Sequence, residues 1–241
     1  MKYQNNILGA CILGATLVSI TPAYAEIEAE TYYGAQVEEA EYRFGDEGER
    51  LFVWNTDVFY GTDELKLRWL SEGEIDTNDG IQEGLENRVV LQTPISDFFD
   101  AKVGLRADTP EGEDRYYGVL GVTGLAPQWF EVDADFFLSE KGDTSVRLDV
   151  EYELLLTNRL ILTPSLDVDF AFSDDEEVGV GSGLSSSELG LRLSYDVIDR
   201  SFSPYVGVVH ERKYGNTKDL ALDEGEDSEA WALVFGSRFV F

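Results

Sequence analysis

Residues 128–172 read QWFEVDADFFLSEKGDTSVRLDVEYELLLTNRLILTPSLDVDFAF, three alternations of apolar and acidic residues in close succession. In the first, Phe130, Val132, Ala134, Phe136 and Leu138 share one parity and Glu131, Asp133 and Asp135 the other. In the second, Val146, Leu148, Val150, Tyr152, Leu154 and Leu156 oppose Arg147, Asp149, Glu151 and Glu153. In the third, Leu160, Leu162, Leu166, Val168, Phe170 and Phe172 oppose Asp167 and Asp169. A period of two places successive side chains on opposite faces of an extended strand. Each run is about a dozen residues, longer than the ~5 to 6 of an ordinary soluble strand and long enough to cross a bilayer at a tilt. The pattern predicts an all-β fold, an antiparallel transmembrane up-and-down β-barrel with its apolar parity toward lipid and its carboxylates enclosed.

Residues 1–25 read as an export signal. Lys2 supplies a positive start, Ile7 to Ile20 is mostly apolar, and Ala23, Tyr24 and Ala25 form a small-x-small cleavage site. Leu8, Gly9, Ala10 and Cys11 resemble a lipobox, but they stand too early, and the apolar run continues beyond them. Removal of residues 1–25 takes Met1 and Cys11 with it. The remainder then has neither thiol nor thioether, which excludes disulfides, thiol catalysis and thiolate metal sites.

The chain carries 48 Asp and Glu against 18 Lys and Arg, a formal net charge of −30. Such a surface repels phosphate backbones, so nucleic acid is not expected as a partner, whereas cations are attracted. Aromatic residues at 12% and hydrophobic residues at 43% argue against a disordered polyanion. After the leader no stretch approaches the ~18 consecutive apolar residues of a spanning helix, so membrane insertion requires a closed barrel.

Residues 26–36 are polar and aperiodic and read as a short periplasmic lead-in, with the barrel over 37–241. Strand patterns recur from Val37 and sum to twelve, or ten if the weak first hairpin (VEEAEYRFG and LFVWNTDVFYG) stays outside the barrel. Connections alternate in length. YGTDE, TPIS, LAPQ, LTNR and VIDRS are short, whereas SEGEIDTNDGIQEG, DTPEGEDR, SDDEEVGVGSG and YGNTKDLALDEGEDS are long and acidic, with SEKGDT the weakest of the long set. Short turns on one rim and long loops on the other are the habit of outer-membrane barrels. The final run, Trp231, Leu233, Phe235, Phe239 and Phe241, has the look of a terminal barrel strand. The competing architecture is a soluble exported β-sandwich serving as a binding module.

An apolar outer face makes the opposite parity the lumen wall. Asp133 and Asp135, then Asp149, Glu151 and Glu153, then Asp167 and Asp169 come from successive strands about 4.8 Å apart. Carboxylates so placed are candidate ligands for a hard or borderline divalent cation. The plainer reading pairs them with Arg106, Arg147, Arg192, Lys213 and Arg238. His210 is the sole histidine, and a barrel enzyme acting on lipid or peptide would depend on it. It follows Val206 and Val208 in parity, which aims it outward as an interfacial ring rather than a catalytic base. Neither a catalytic residue nor a required cofactor is expected.

Several stretches resemble the copper resistance protein B (CopB/PcoB) family: LRWLSEGE at 67–74, GLAPQWFEVDADFFLSEKGDTSVRLDVEYELLLTNRLIL at 124–162, GSGLSSSELGLRLSYD at 181–196 and PYVGVVHERKYGNT at 204–217. The resemblance implies a barrel in the bacterial outer membrane that serves copper tolerance by sequestering the ion or assisting its passage, and a monomer is expected. Outer-membrane lipid, divalent cations and periplasmic copper-handling proteins are the partners it implies. Many members carry a Met- and His-rich segment ahead of the barrel, where this chain has EIEAETYYGAQ. Cu(I) prefers sulfur and Cu(II) imidazole, so copper held by this chain rests on carboxylates.

Overall fold

A computed structural model describes residues 30–46, 48–78, 80, 82–109 and 114–241, with Gln82 and Glu83 as backbone only. The export signal, with Cys11, lies outside the described residues. The strands are β1 (Tyr32–Gly45), β2 (Arg50–Gly61), β3 (Lys66–Asp76), β4 (Gln82–Pro94), β5 (Phe99–Asp108), β6 (Arg115–Ala126) and β7 (Phe130–Ser139). They continue with β8 (Thr144–Glu151), β9 (Leu154–Leu155), β10 (Leu160–Ala171), β11 (Gly183–Tyr195), β12 (Phe202–Lys213) and β13 (Glu229–Val240). All pair antiparallel with their neighbours. β13 returns to β1, with Gln36 opposite Val240 and Phe44 opposite Leu233. β8 and β9 both pair with β10 and form one interrupted stave, so thirteen strands make a closed barrel of twelve staves.

The interruption at Tyr152 and Glu153 has a local cause. Tyr152 N–H donates to Pro164 O at 3.2 Å, but Pro164 has no N–H to return, and a proline inside a sheet breaks its ladder.

The faces fall as the alternation predicts. Phe136 is 39% and Leu138 48% exposed on the outside, while Phe137 between them is 1% exposed inside the barrel. Val90 on β4, Val119 on β6 and Phe137 on β7 form a buried apolar cluster, with Leu70 and Tyr117 against it. Each of the five turns on the short rim exposes an apolar side chain: Leu65, Ile95 with Phe98, Trp129, Leu156, and Val197 with Ile198. Trp129 N–H donates to Ala126 O at 3.1 Å across the 127–129 turn, and Gln128 and Trp129 take positive φ, 71° and 70°, Gln128 at the position where a turn opened by proline requires it.

Three expectations need adjustment. β1 begins at Tyr32, so most of the described part of the supposed lead-in is barrel wall, while the first hairpin belongs to the sheet as the twelve-strand reading has it. The stretch 71–84 is mostly strand rather than loop, because β3 runs to Asp76 and β4 starts at Gln82. Residues 214–228 hold a helix, α1 (Gly215–Glu224), where an irregular loop was expected. The 172–182 connection carries only a single 3-10 turn at Glu176–Val178. Both long connections lie on the rim opposite the short turns.

Candidate functional site

Inward-facing side chains organise the lumen into two ion-paired flanks. The first spans β11, β12 and β1. Glu41, fully buried, accepts hydrogen bonds from Arg43 Nε at 2.8 Å, Arg192 Nε and Nη2 at 3.0 Å each, and Tyr205 OH at 2.9 Å. Arg43 Nη1 continues to Glu188 at 2.9 Å and Glu211 at 2.7 Å, and Arg192 pairs with Glu39 at 2.7 Å. Three carboxylates, Glu41, Glu188 and Glu211, surround the Arg43 guanidinium, the condition under which a buried charge is tolerated.

The second flank spans β3 to β10. Arg88 pairs with Glu72, with Glu86 at 2.8 Å and with Asp135 at 2.9 Å. Arg106 pairs with Glu86 at 2.7 Å and Asp108 at 2.6 Å, and lies 4.5 Å from the centre of the Phe137 ring. Lys102 reaches Asp133 at 2.5 Å and Asp135 at 3.0 Å. Arg147 binds Asp169 at 3.0 Å, Glu86 at 3.1 Å and Glu72 at 3.7 Å. Near the short rim, Arg238 of β13 approaches Glu151 at 3.6 Å and Glu153 at 3.4 Å, and Arg200 reaches Glu153 at 3.0 Å.

A cavity of about 890 Å³ lies between the flanks. Five of its lining carboxylates, Glu38, Glu74, Glu131, Asp149 and Asp167, have no Lys or Arg within ion-pair distance among the described residues. Register sets two rows across its wall. Asp133, Asp149 and Asp167 stand side by side on β7, β8 and β10, and the row nearer the long loops runs Asp135, Arg147, Asp169.

The seven carboxylates singled out from sequence therefore do not converge on one centre. Asp133, Asp135, Glu151, Glu153 and Asp169 have cationic partners, and Asp149 and Asp167 do not. Among the described residues no group of three His, Cys, Asp or Glu side chains is arranged to hold a metal ion. The donor set is all carboxylate, which suits hard cations and gives copper only modest preference. Of the expected partners, Arg147 and Arg238 do meet these carboxylates, whereas Arg106 and Arg192 serve Glu86, Asp108, Glu39 and Glu41, and Lys213 binds Glu226 at 2.5 Å. Arg43, Arg88 and Lys102 were missed, although Arg88 alternates with the outward Val89 and Leu91 and so was legible as lumenal.

His210 is placed as its parity implied. On the outer face its Nε2 lies 2.9 Å from Glu229 Oε1, and its ring sits 4.3 Å from that of Trp231.

Beyond the staves, the long-loop rim is braced. Arg115, buried at the start of β6, holds Asp175 at 2.9 Å and Glu177 at 3.0 Å from the 172–182 connection. Lys141 also binds Glu177. Hydrogen bonds from Lys141 and then Arg115 hold the Glu177 carboxyl below its ordinary range. The Ser182 backbone N–H and the Asn216 side chain do the same for Asp174.

Residues 31–241 match the model of the family described as copper resistance protein B precursor (CopB). Copper resistance protein B of Escherichia coli is 38% identical over 79% of this chain and 63% of its own length. The copper resistance protein B homolog of Pseudomonas syringae pv. tomato is 37% identical over 83% of this chain and 67% of its own. The chain thus spans about two thirds of the length of these relatives. Among solved structures, the NanC porin superposes with a TM-score of 0.54 at 12% identity, covering 86% of this chain and 99% of that one. The KdgM porin gives 0.47 at 12% identity, covering 87% and 99%. The porin likeness shows the fold, a closed twelve-stave barrel, and the match over 31–241 shows the lineage: the chain belongs to the copper resistance protein B family.

Proposed function

We propose that this barrel resides in the bacterial outer membrane and serves copper tolerance without catalysis, by binding copper or other divalent cations in its acidic lumen or assisting their passage through it. One observation carries the reading. Each carboxylate of the two flanks meets a base, whereas Glu38, Glu74, Glu131, Asp149 and Asp167 face the space between them with no paired base among the described residues. Glu74 lies near the long-loop end of β3 and Glu131 at the short-turn end of β7, so uncompensated negative charge runs the height of the wall. A low-dielectric wall lined by one sign of charge concentrates counter-ions. Copper would enter as Cu(II), the state that oxygen ligands accept. Outer-membrane lipid is the expected surround for the apolar face, the barrel is taken as a monomer, and periplasmic copper-handling proteins are the expected partners at the short rim.

The test is the reversal potential of the purified barrel in a planar bilayer under a salt gradient, together with copper sensitivity of a deletion strain. Cation selectivity that declines in a Glu38→Gln, Asp149→Asn, Asp167→Asn variant, and copper sensitivity rescued by the intact gene, are expected. A barrel that neither conducts nor binds divalent ions overturns the reading.

A further inference from the structure

On the part of the wall made by β7, β8 and β10, Arg147 is the one base among carboxylates. It stands in register with Asp135 on β7 and Asp169 on β10, one row nearer the long loops than Asp133, Asp149 and Asp167. Two residues along a strand advance about 7 Å, so a cation resting on the all-carboxylate row meets this guanidinium as its next neighbour toward the long-loop mouth.

The side chain also leaves its own wall. Its carboxylate partners are Asp169 on the adjacent stave and Glu86 and Glu72 on β4 and β3. Between β8 and β4 in the stave order stand β5, β6 and β7, so these last two contacts cross the lumen. Behind the crossing the space is occupied. The guanidinium lies 5.8 Å from the Phe137 ring centre, and Val90 and Val119 pack against Phe137. On the other side Arg147 lines the cavity. Three carboxylates from three staves thus converge on a cation that the chain itself supplies.

We propose that Arg147 is a tethered cation that narrows the lumen at mid-height beside the cavity, and that mobile cations crossing this level compete with its guanidinium for Glu72, Glu86 and Asp169. The proposal rests on the reading of the lumen as a cation path and names the residue that restricts it. A free cation approaching Glu72, Glu86 and Asp169 competes with a charge already bound to them, and beside a fixed positive charge of this kind cation entry is opposed.

The experiment compares unitary conductance and reversal potential of the wild-type barrel with Arg147→Ser, Arg147→Met and Arg147→Lys in planar bilayers, each variant first shown to be folded by its heat-modifiable mobility on gels. Arg147→Met keeps the stem against Phe137 and removes only the charge, so it carries the test if the serine variant does not fold. Conductance raised about twofold or more in Arg147→Ser and Arg147→Met, with a shift toward stronger cation selectivity and near-wild-type behaviour in Arg147→Lys, is the expected result. A folded Arg147→Met with wild-type conductance and reversal potential overturns the proposal while leaving the cation path standing. A silent wild type beside a conducting, cation-selective Arg147→Met upholds Arg147 as the restriction and overturns instead the idea that the resting barrel conducts. Silence in every variant overturns both.

Discussion

Asp149 of β8 and Asp167 of β10 face one another in register, and among the described residues neither has a Lys or Arg within ion-pair distance. Like charges directly opposed on neighbouring strands are destabilising by about 0.2–1 kcal/mol. Asp167→Asn should therefore stabilise the barrel by roughly that amount and at the same time reduce its preference for cations. Chemical denaturation in lipid or detergent and the reversal potential check the two halves separately. A variant that is less stable than wild type and equally selective would remove any special role for this pair.

Glu41 is the hub of the flank on β11, β12 and β1, and its carboxylate receives Arg43, Arg192 and Tyr205. Glu41→Gln removes the carboxylate that Arg43 and Arg192 share and leaves them Glu188, Glu211 and Glu39, a loss on the order of 1–3 kcal/mol in charge-assisted hydrogen bonding. The expected sign is a marked drop in the unfolding midpoint, with conductance of the surviving folded fraction little changed. A midpoint within error of wild type would mean that Glu39 and Glu188 compensate fully.

His210 touches Glu229 and Trp231 on the outer face. Replacing it with Ala should leave ion conductance and copper tolerance as in the wild type. Loss of either would revive an enzymatic or ligand role for this ring.

The braced rim should loosen in acid. Glu177 and Asp174 are held below the ordinary carboxylate range, Glu177 by Lys141 and Arg115 and Asp174 by the Ser182 N–H and Asn216. A depressed carboxyl stabilises the fold fully above its unfolded pKa, about 4.3 for Glu and 3.9 for Asp, and ceases to do so as pH falls through the lower folded value. Hydrogen exchange over residues 172–182, corrected for the intrinsic effect of pH, should accelerate only below about pH 4. Flat protection down to about pH 2 would show that these contacts do not secure the connection.

The stretch 128–172 was readable because its two faces meet different solvents, and that difference is written into the alternation itself. β1 was harder. Its register shifts against both neighbours, between Val37 and Glu39 on the β2 side and between Val37 and Glu41 on the β13 side, and a bulge breaks the period on which such a reading depends. Helix α1 gave no signal because its apolar residues, Leu220, Ala221 and Leu222, are consecutive and mark no stripe. The lumen was half legible. Parity showed which carboxylates face inward, but the partner of each depends on which staves approach, as with Arg43 and Glu188, 145 residues apart. Sequence spacing carries no information at that range, so a shared metal patch and a set of separate ion pairs looked alike.

The seam between β1 and β13 is fastened by Ala35 and Phe241, Phe241 N–H donating to Ala35 O at 2.9 Å and Ala35 N–H to Phe241 O at 3.4 Å. Contacts this distant along the polymer are the slowest to find. Until the final stave docks, the first one offers a row of unsatisfied amides to any neighbouring molecule. The half-assembled protein is consequently at its most adhesive just before completion, and a carrier that shields either free edge, Tyr32–Gly45 or Glu229–Val240, would do the most to prevent clumping.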